Sequence, residues 1–285
     1  MSDKISPENS THSHQLQCME IWNGNHSVEN VVSSQGIEGW IFSRPYQKDS
    51  HGGDVHYLSL CVGGIVTRIL LADVAGHGDL VASTSTALRQ LLRRFMNAKR
   101  QDRLVAELNR EFTRNESDGR FATAIVATFL SHKNRLLLTN AGHPRPLRFS
   151  RSNAEWTYLD DSLLFDASLD GNLPLGITDD SSYQHYDLSI QPGDWLLLYT
   201  DALTEAFNDR DEQLGESGLL QIVKKLDVTE SPSFLGSKLL SEIRKYSEDL
   251  GCDDTTLIAL KFIGNRRRPG FIEKLQGYSK LLLGS

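Results

Sequence analysis

LSLCVGGIVTRILLADVAGHG, residues 58–78, is the stretch on which the reading of this chain turns. Two β-rich runs, 58–62 and 67–72, flank Gly63-Gly64, a pair that accepts the positive φ of a tight hairpin turn. The second run ends on Asp73, and Gly76 and Gly78 follow it at once. Beyond Gly78 the period changes. Ala87, Leu88, Leu91, Leu92 and Phe95 recur at helical spacing, with Arg89, Arg93 and Arg94 on other faces. A hairpin therefore hands an aspartate to a glycine-rich turn, and the turn hands the chain to an amphipathic helix.

Downstream, Asp102 reads as the N-cap of a second helix carrying Leu104, Val105, Leu108 and Phe112. Residues 124–129 and 135–139 are strand-like, as are 187–190 and 195–199, the last two joined by Gln191-Pro192-Gly193-Asp194 with its turn chemistry. Helices follow over 218–226 and 233–246, and 256–262 forms a closing strand. Upstream, 39–43 suggests a strand, 19–32 reads as weakly structured, and 1–15 as a disordered leader rich in Ser, Asn and His. Hairpin-linked strands outnumber βαβ alternation, which predicts an α+β fold of mainly antiparallel sheets with helices packed outside them. The expected organisation is a polar, partly disordered N-terminal extension over 1–35, one domain over 36–263, and a basic amphipathic tail over 264–285. In that tail Arg266, Arg267 and Arg268 precede Phe271, Ile272, Leu275, Tyr278 and Leu282. Two readings of it are open: a partner-docking or membrane-surface element, or a helix packing back on the domain or a frayed end.

The 285 residues are 39% hydrophobic and 24% charged, enough for a substantial core without staples. The net charge of −7 argues against bulk nucleic-acid binding, which needs a basic face. Cys18, Cys61 and Cys252 are odd in number and show no CxxC spacing, so neither a disulfide framework nor a zinc site is signalled. With no apolar signal-peptide core in 1–15 and no run approaching the ~18–20 apolar residues of a membrane span, a reducing, cytoplasmic location is expected.

Four aspartates stand in short marked motifs: Gly52-Gly53-Asp54, then Asp73-Val74-Ala75-Gly76-His77-Gly78, then Thr200-Asp201-Ala202-Leu203-Thr204-Glu205, then Cys252-Asp253-Asp254-Thr255-Thr256. Each lies at the end of an expected strand or beside one. Clustered carboxylates repel unless positive charge sits among them, and an all-oxygen set suits Mg²⁺ or Mn²⁺ rather than zinc. Two divalent ions balance four carboxylates and leave a site that accepts a phosphate dianion. Two such ions roughly 3.5–4 Å apart lower the pKa of a bridging water and stabilise charge on phosphoryl oxygens. The chain has no GxSxG elbow and no cysteine in a CxxxxxR-type phosphate loop, so no protein nucleophile is evident. The chemistry that fits is hydrolysis of a phosphate monoester by a metal-activated water.

The ordered set resembles the metal-dependent protein phosphatases, the type-2C or PPM superfamily, in their bacterial SpoIIE/RsbU-like branch. Besides the four motifs, Asn140-Ala141-Gly142-His143-Pro144 and Pro174-Leu175-Gly176 fall where that branch has them. So do Leu108-Asn109 and Phe121-Ala122-Thr123-Ala124. The resemblance spans about residues 40–262. It implies a four-layer α-β-β-α sandwich and a serine/threonine phosphatase dependent on two or more Mn²⁺ or Mg²⁺ ions. By position, Asp73 would bridge two metals, with the Val74 carbonyl as an extra ligand. Asp54 would serve one side, Asp201 and Asp253 the other. The substrate implied is a phosphoserine or phosphothreonine protein, with an anti-sigma-factor antagonist of a partner-switching pathway as the common case.

Three departures from the branch bear on the site. Ala202 stands where the branch has glycine; at φ > 0 that alanine would cost about 1 kcal/mol and displace Asp201, while at negative φ it would cost nothing. Val55-His56-Tyr57 follows Asp54 where an aromatic pair and a further acid are usual, so no ligand is expected there. About 35 residues precede the domain, so regulation is expected from a separate protein, from the termini, or not at all. His77 is a catalytic candidate, as general acid or by orienting water, against a role in fixing its loop by backbone hydrogen bonds. His143 and Glu205 read as supporting residues, and Arg44, Arg120 and Arg145 as candidate phosphate clamps. Two other functions are compatible with these residues: a degenerate phosphatase used as a binding or signalling module, supported by Ala202, and a small-molecule phosphohydrolase.

Overall fold

The computed structural model describes residues 12–16, 21–46, 51–61, 64–76, 79–95, 100–115, 119–164, 173–247 and 253–264. His77, Cys252 and the basic tail beyond residue 264 lie outside the described residues.

Strands β1 (His12–Gln15), β3 (Val28–Ser34), β4 (Ile37–Arg44), β9 (Leu147–Ser150), β10 (Glu155–Tyr158), β12 (Trp195–Tyr199) and β13 (Thr255–Phe262) form one sheet. Its order is β1-β3-β4-β13-β12-β9-β10. The second sheet is built from β2 (Ile21–Gly24), β5 (Asp54–Cys61), β6 (Val66–Val74), β7 (Ala122–Leu130), β8 (Arg135–Ala141) and β11 (Tyr186–Ser189). Its order is β11-β8-β7-β6-β5-β2. Among the described strands only the β1–β3 pair is parallel. Helices α1 (Asp79–Phe95) and α2 (Gln101–Asn115) cover the second sheet, and α3 (Gly215–Val223) and α4 (Pro232–Tyr246) cover the first.

The layers follow from the two-residue period of buried strands. In β12, Leu196 and Leu198 face the core between the sheets, while Trp195, Leu197 and Tyr199 pack under α3 and α4 against Leu219, Leu235 and Leu239. In β6, Ile69 and Leu71 face inward, and Leu70, Ala72 and Val74 pack under α1 and α2 against Leu88, Leu104 and Leu108. Both strands are buried on both faces and so read as unbroken apolar runs. The expected α-β-β-α sandwich is the architecture found.

Two expectations change. The sheets begin upstream of Gly36: β3 pairs with β4 from Val28↔Ser43 to Ser34↔Ile37, β2 adds to the edge of the second sheet, and β1 adds to the first. Near a sheet edge a strand keeps polar residues such as Glu29, Asn30 and Ser33 among Val28, Val31 and Val32, and its pattern is weak in sequence. Second, Asp102 is not the cap of α2 but lies in its first turn, paired with Arg100. The helix begins at Gln101, whose buried side chain donates to the Val126 carbonyl at 2.7 Å and accepts from Thr128 Oγ1 at 2.8 Å, docking the helix end on β7.

Candidate active site

The hairpin of β5 and β6 pairs Asp54 directly with Asp73, and β7 sets Thr123 against Asp73 on the other side. Asp73 shares the inward face of Ile69 and Leu71, and Asp54 that of Leu58 and Leu60, so both carboxylates project between the sheets where the apolar core ends. The same period brings Thr200 inward beyond Leu198 and Thr256 inward before Ile258. Asp201 opens a 3₁₀ turn, Asp201–Leu203, at the end of β12, and Asp253 precedes β13. One end of the sandwich thus collects carboxylates from both sheets.

Asp54 is 3% exposed. Its Oδ2 accepts a hydrogen bond from Thr200 Oγ1 at 3.0 Å, a contact between the two sheets. Thr200 Oγ1 in turn accepts from the Thr256 amide at 2.9 Å, and Thr256 Oγ1 meets Ser43 Oγ at 2.9 Å. Asp54 Oδ1 is buried and has no hydrogen-bond partner among the described residues. Burial, then the charges of Asp73 and Asp254, hold the Asp54 carboxyl well above the usual carboxylate range. Burial, followed by Asp201, Asp253, Asp254 and Glu205, pushes Asp73 up to about 7. Asp201 is raised by burial, Glu205 and Asp253. The charges acting on all three are carboxylates, and what such a cluster lacks is a cation. An all-oxygen donor set with a buried, unpartnered carboxylate oxygen fits a hard divalent ion. As the side chains stand, no group of three or more His, Cys, Asp or Glu among the described residues is drawn close enough to hold one.

Asp254, the neighbour of the expected ligand Asp253, has a different task. Its Oδ1 accepts from the Tyr46 amide at 2.7 Å, and its Oδ2 accepts from the Gly53 amide. This explains Gly52-Gly53, neither of which has positive φ. A Cβ on Gly52 would stand 2.6 Å from an Asp254 carboxylate oxygen, and one on Gly53 would stand 2.9 Å from the Val74 carbonyl oxygen. The glycines permit close approach, and the Val74 carbonyl faces the turn that carries Asp54. Neither the clamp by Asp254 nor the hydroxyls of Thr200 and Thr256 was singled out from sequence. The signal available was the second Asp of Asp253-Asp254 and the threonine before Asp201.

Ala202 lies inside the 3₁₀ turn without positive φ, so alanine carries no strain there and Asp201 is not displaced by it. His143 is buried, its Nδ1 is 2.8 Å from Thr123 Oγ1, and burial holds its pKa down at about 3. The Asn140 side chain bonds both the amide and the carbonyl of His143, each at 2.8 Å. Asn109 of α2 likewise holds the Gly176 amide at 2.9 Å and the Thr178 carbonyl at 2.7 Å, while Leu175 bridges Ala122. These motif residues brace the start of β7, beside Asp73. Of the three arginines, Arg145 is taken by Glu216 and lies over Tyr158, and Arg44 lies over Phe42. Arg120 bonds Thr84 of α1 at 2.8 Å, next to Phe121, whose carbonyl receives the Ala75 amide at 3.0 Å. It is the one of the three beside the loop after Asp73.

Residues 64–263 match the family described as Stage II sporulation protein E (SpoIIE). The phosphoserine phosphatase RsbU of Bacillus subtilis (strain 168) is 23% identical over 195 residues, covering 68% of this chain and 55% of its own length, so the chain spans about half of that relative. Among solved structures, the RsbU and RsbW domains of Rv1364c from Mycobacterium tuberculosis superpose with a TM-score of 0.69 at 21% identity, over 85% of this chain and 64% of that one. RsbX, solved in complex with magnesium, gives 0.60 at 18% identity, over 82% and 99%. At these identities the superpositions establish the fold. No helix among the described residues is long and apolar enough to cross a membrane.

Proposed function

We propose that this chain, which belongs to the SpoIIE family, is a metal-dependent protein serine/threonine phosphatase. It acts on phosphoserine or phosphothreonine of a bacterial regulatory protein in the cytoplasm, an anti-sigma-factor antagonist being the substrate class that the resemblance favours. The observation that carries this reading is the cluster of carboxylates from both sheets, with Asp54 buried and Asp73 and Asp201 half-buried, whose proton affinities rise through burial and one another's charge. In support stand the magnesium complex in which RsbX was solved and the phosphoserine phosphatase activity for which RsbU is named.

The residues that would hold the ions are Asp54, Asp73, the Val74 carbonyl, Asp201 and Asp253, Asp73 having carboxylates of both sheets around it. Mn²⁺ or Mg²⁺ held by them would neutralise phosphoryl charge and lower the pKa of water. The chain's own residues supply the positioning. Thr200 fixes the direction of Asp54, Asp254 fixes the turn before it, and Arg120 stands beside the loop after Asp73 to receive a phosphate oxygen. His77 is assigned, from its place in the Asp73 motif, to the proton that the departing serine or threonine oxygen takes up. The unit assigned to this activity is 36–263, extended at its sheet edges by β1–β3.

The test is phosphate release from a phosphoserine protein by purified chain in excess Mn²⁺, with Asp73→Asn beside it. Release that the variant loses supports the reading. No release from any phosphoserine protein, with Asp73→Asn indistinguishable from the parent, sinks it. Release from nucleotides but not from phosphoproteins would favour the small-molecule reading. The degenerate-module reading loses its sequence support with the strain-free Ala202.

A further inference from the structure

The family match begins at residue 64, downstream of Asp54 and of the turn that presents it. Contacts particular to this chain hold that turn. Gly52 and Gly53 have four main-chain polar groups between them, and all four are engaged. The Gly52 amide donates to the Asn25 carbonyl at 2.8 Å, and Asn25 Nδ2 donates back to the Gly52 carbonyl at 3.2 Å. The Gly53 amide donates to Asp254, and the Gly53 carbonyl receives the Val74 amide at 3.3 Å and Ser85 Oγ at 3.4 Å. The clamp is complete, and half of it is one residue.

Asn25 follows β2, whose last pair with β5 is Gly24↔His56. It is 1% exposed although the next two residues, His26 and Ser27, are exposed. Burying an amide side chain in a surface turn is unfavourable unless its hydrogen bonds are made and serve the fold. Here the side chain makes one of them, from Nδ2 to the carbonyl of Gly52 two positions before Asp54, while Oδ1 is buried with no hydrogen-bond partner among the described residues. We infer that Asn25 is a positioning residue for the carboxylate cluster, so that the segment upstream of residue 36 sets the affinity of the site for its metal. The inference rests on the proposed role of Asp54 as a ligand. In physical terms, Asp54 can lend its buried Oδ1 to an ion only while its main chain is fixed in two directions. Thr200 fixes the side chain from the first sheet, and Asn25 with Asp254 fixes the backbone from either flank.

The experiment is Mn²⁺ binding by calorimetry to the full chain, alongside its thermal denaturation without metal. Three proteins are compared: the parent, Asn25→Ala, and Val32→Ala. The last removes buried volume from β3 and leaves every contact of the turn in place. Loss of a group that orients a ligand typically weakens metal binding by 10–100-fold, so Asn25→Ala is expected to raise the Mn²⁺ dissociation constant about tenfold. Val32→Ala is expected to melt earlier and bind Mn²⁺ as the parent does. Should Asn25→Ala not fold, Asn25→Ser is used, whose hydroxyl is too short to reach the Gly52 carbonyl; the same weakening is expected. A parent that binds Mn²⁺ with an Asn25 variant that binds equally well overturns this inference and leaves the proposed function standing. Equal weakening in Val32→Ala also overturns it, by making the effect one of general stability. A parent that takes up no Mn²⁺ overturns the metal reading and this inference with it.

Discussion

The β5–β6 hairpin and the β12–β13 pair deliver carboxylates to the same end of the sandwich by different means. In the hairpin, a turn at Gly64 and Ile65 sets a register that leaves Asp54 opposite Asp73, and nothing distant is needed to bring them together. On the other side, Asp201 and Asp253 lie just beyond Tyr199↔Leu257, a pairing that closes only when the chain between those strands has folded. The first pair is the drier, with Asp54 buried; the second is wetter, with Asp253 exposed. A site made this way has one half set by local geometry and one half set by the whole fold. Among the described residues, hydrogen bonds from Thr200 to Asp54 and from the Gly53 amide to Asp254 join the halves.

The largest expected effect comes from breaking the dry half. Asp73→Asn removes the group that faces carboxylates from both sheets and is expected to cost at least roughly 10²–10³-fold in turnover, the scale of losing one well-placed electrostatic group. A turnover within a factor of a few of the parent would refute the central place given to Asp73. The same variant has a second consequence, read without metal. Asp73 titrates near 7 in the folded chain, against about 4 for an ordinary carboxylate. Between those values the folded state holds a proton that the unfolded state has released. Stability of the metal-free chain therefore carries a contribution that is present below about pH 4 and is lost as pH rises to about 7. Asp73→Asn removes that contribution, so denaturation midpoints followed from pH 4.5 to 7.5 should fall less steeply in the variant. Parallel curves would mean that Asp73 ionises freely in the fold.

A smaller effect tests the joint between the halves. Thr200→Val keeps the shape of the side chain and deletes its hydroxyl, depriving Asp54 Oδ2 of the Thr200 donor and the Thr256 amide of its side-chain acceptor. Leaving buried polar groups unsatisfied costs about 1–3 kcal/mol each. Urea denaturation should register a loss in that range, and Mn²⁺ affinity should fall with it. If stability drops while Mn²⁺ binding is untouched, the hydroxyl supports the fold alone and the two halves are independent.

The contrast also explains how much of the molecule is legible in its residues. The hairpin was legible because its information is local: two β-rich runs, a glycine pair, and an aspartate at the strand end. β12 and β13 were legible as strands because double burial writes them as unbroken apolar runs. The division of labour between Asp253 and Asp254 was not, since adjacent aspartates look alike until strand parity turns one toward Gly53. Asn25 was hidden for the same reason. It sits among polar residues that read as an unstructured extension, and its meaning lies in a turn it meets only after β2 has paired with β5. The start of α2 was misread at Asp102 because the deciding interaction, Gln101 with β7, joins residues far apart in the chain. His77 and the basic tail lie outside the described residues, and their readings stay those of the sequence.

The smallest effect is expected at Ala202, where the sequence raised its sharpest doubt. The resemblance leads one to expect glycine after this aspartate, and a positive φ would have made alanine a strained residue that displaces Asp201. Ala202 instead occupies a 3₁₀ turn without positive φ. The turn is closed by main-chain bonds from the Thr204 and Glu205 amides to the Asp201 carbonyl, both at 2.8 Å. Glycine at 202 would relieve no strain. It would widen the unfolded ensemble and lower stability by roughly 0.4–1 kcal/mol. Ala202→Gly should therefore leave Mn²⁺ affinity and turnover as they are while the chain melts slightly earlier. A gain in either binding or turnover would show that Asp201 needs a backbone freedom that alanine denies it, and the wetter half would then be the half that limits the site.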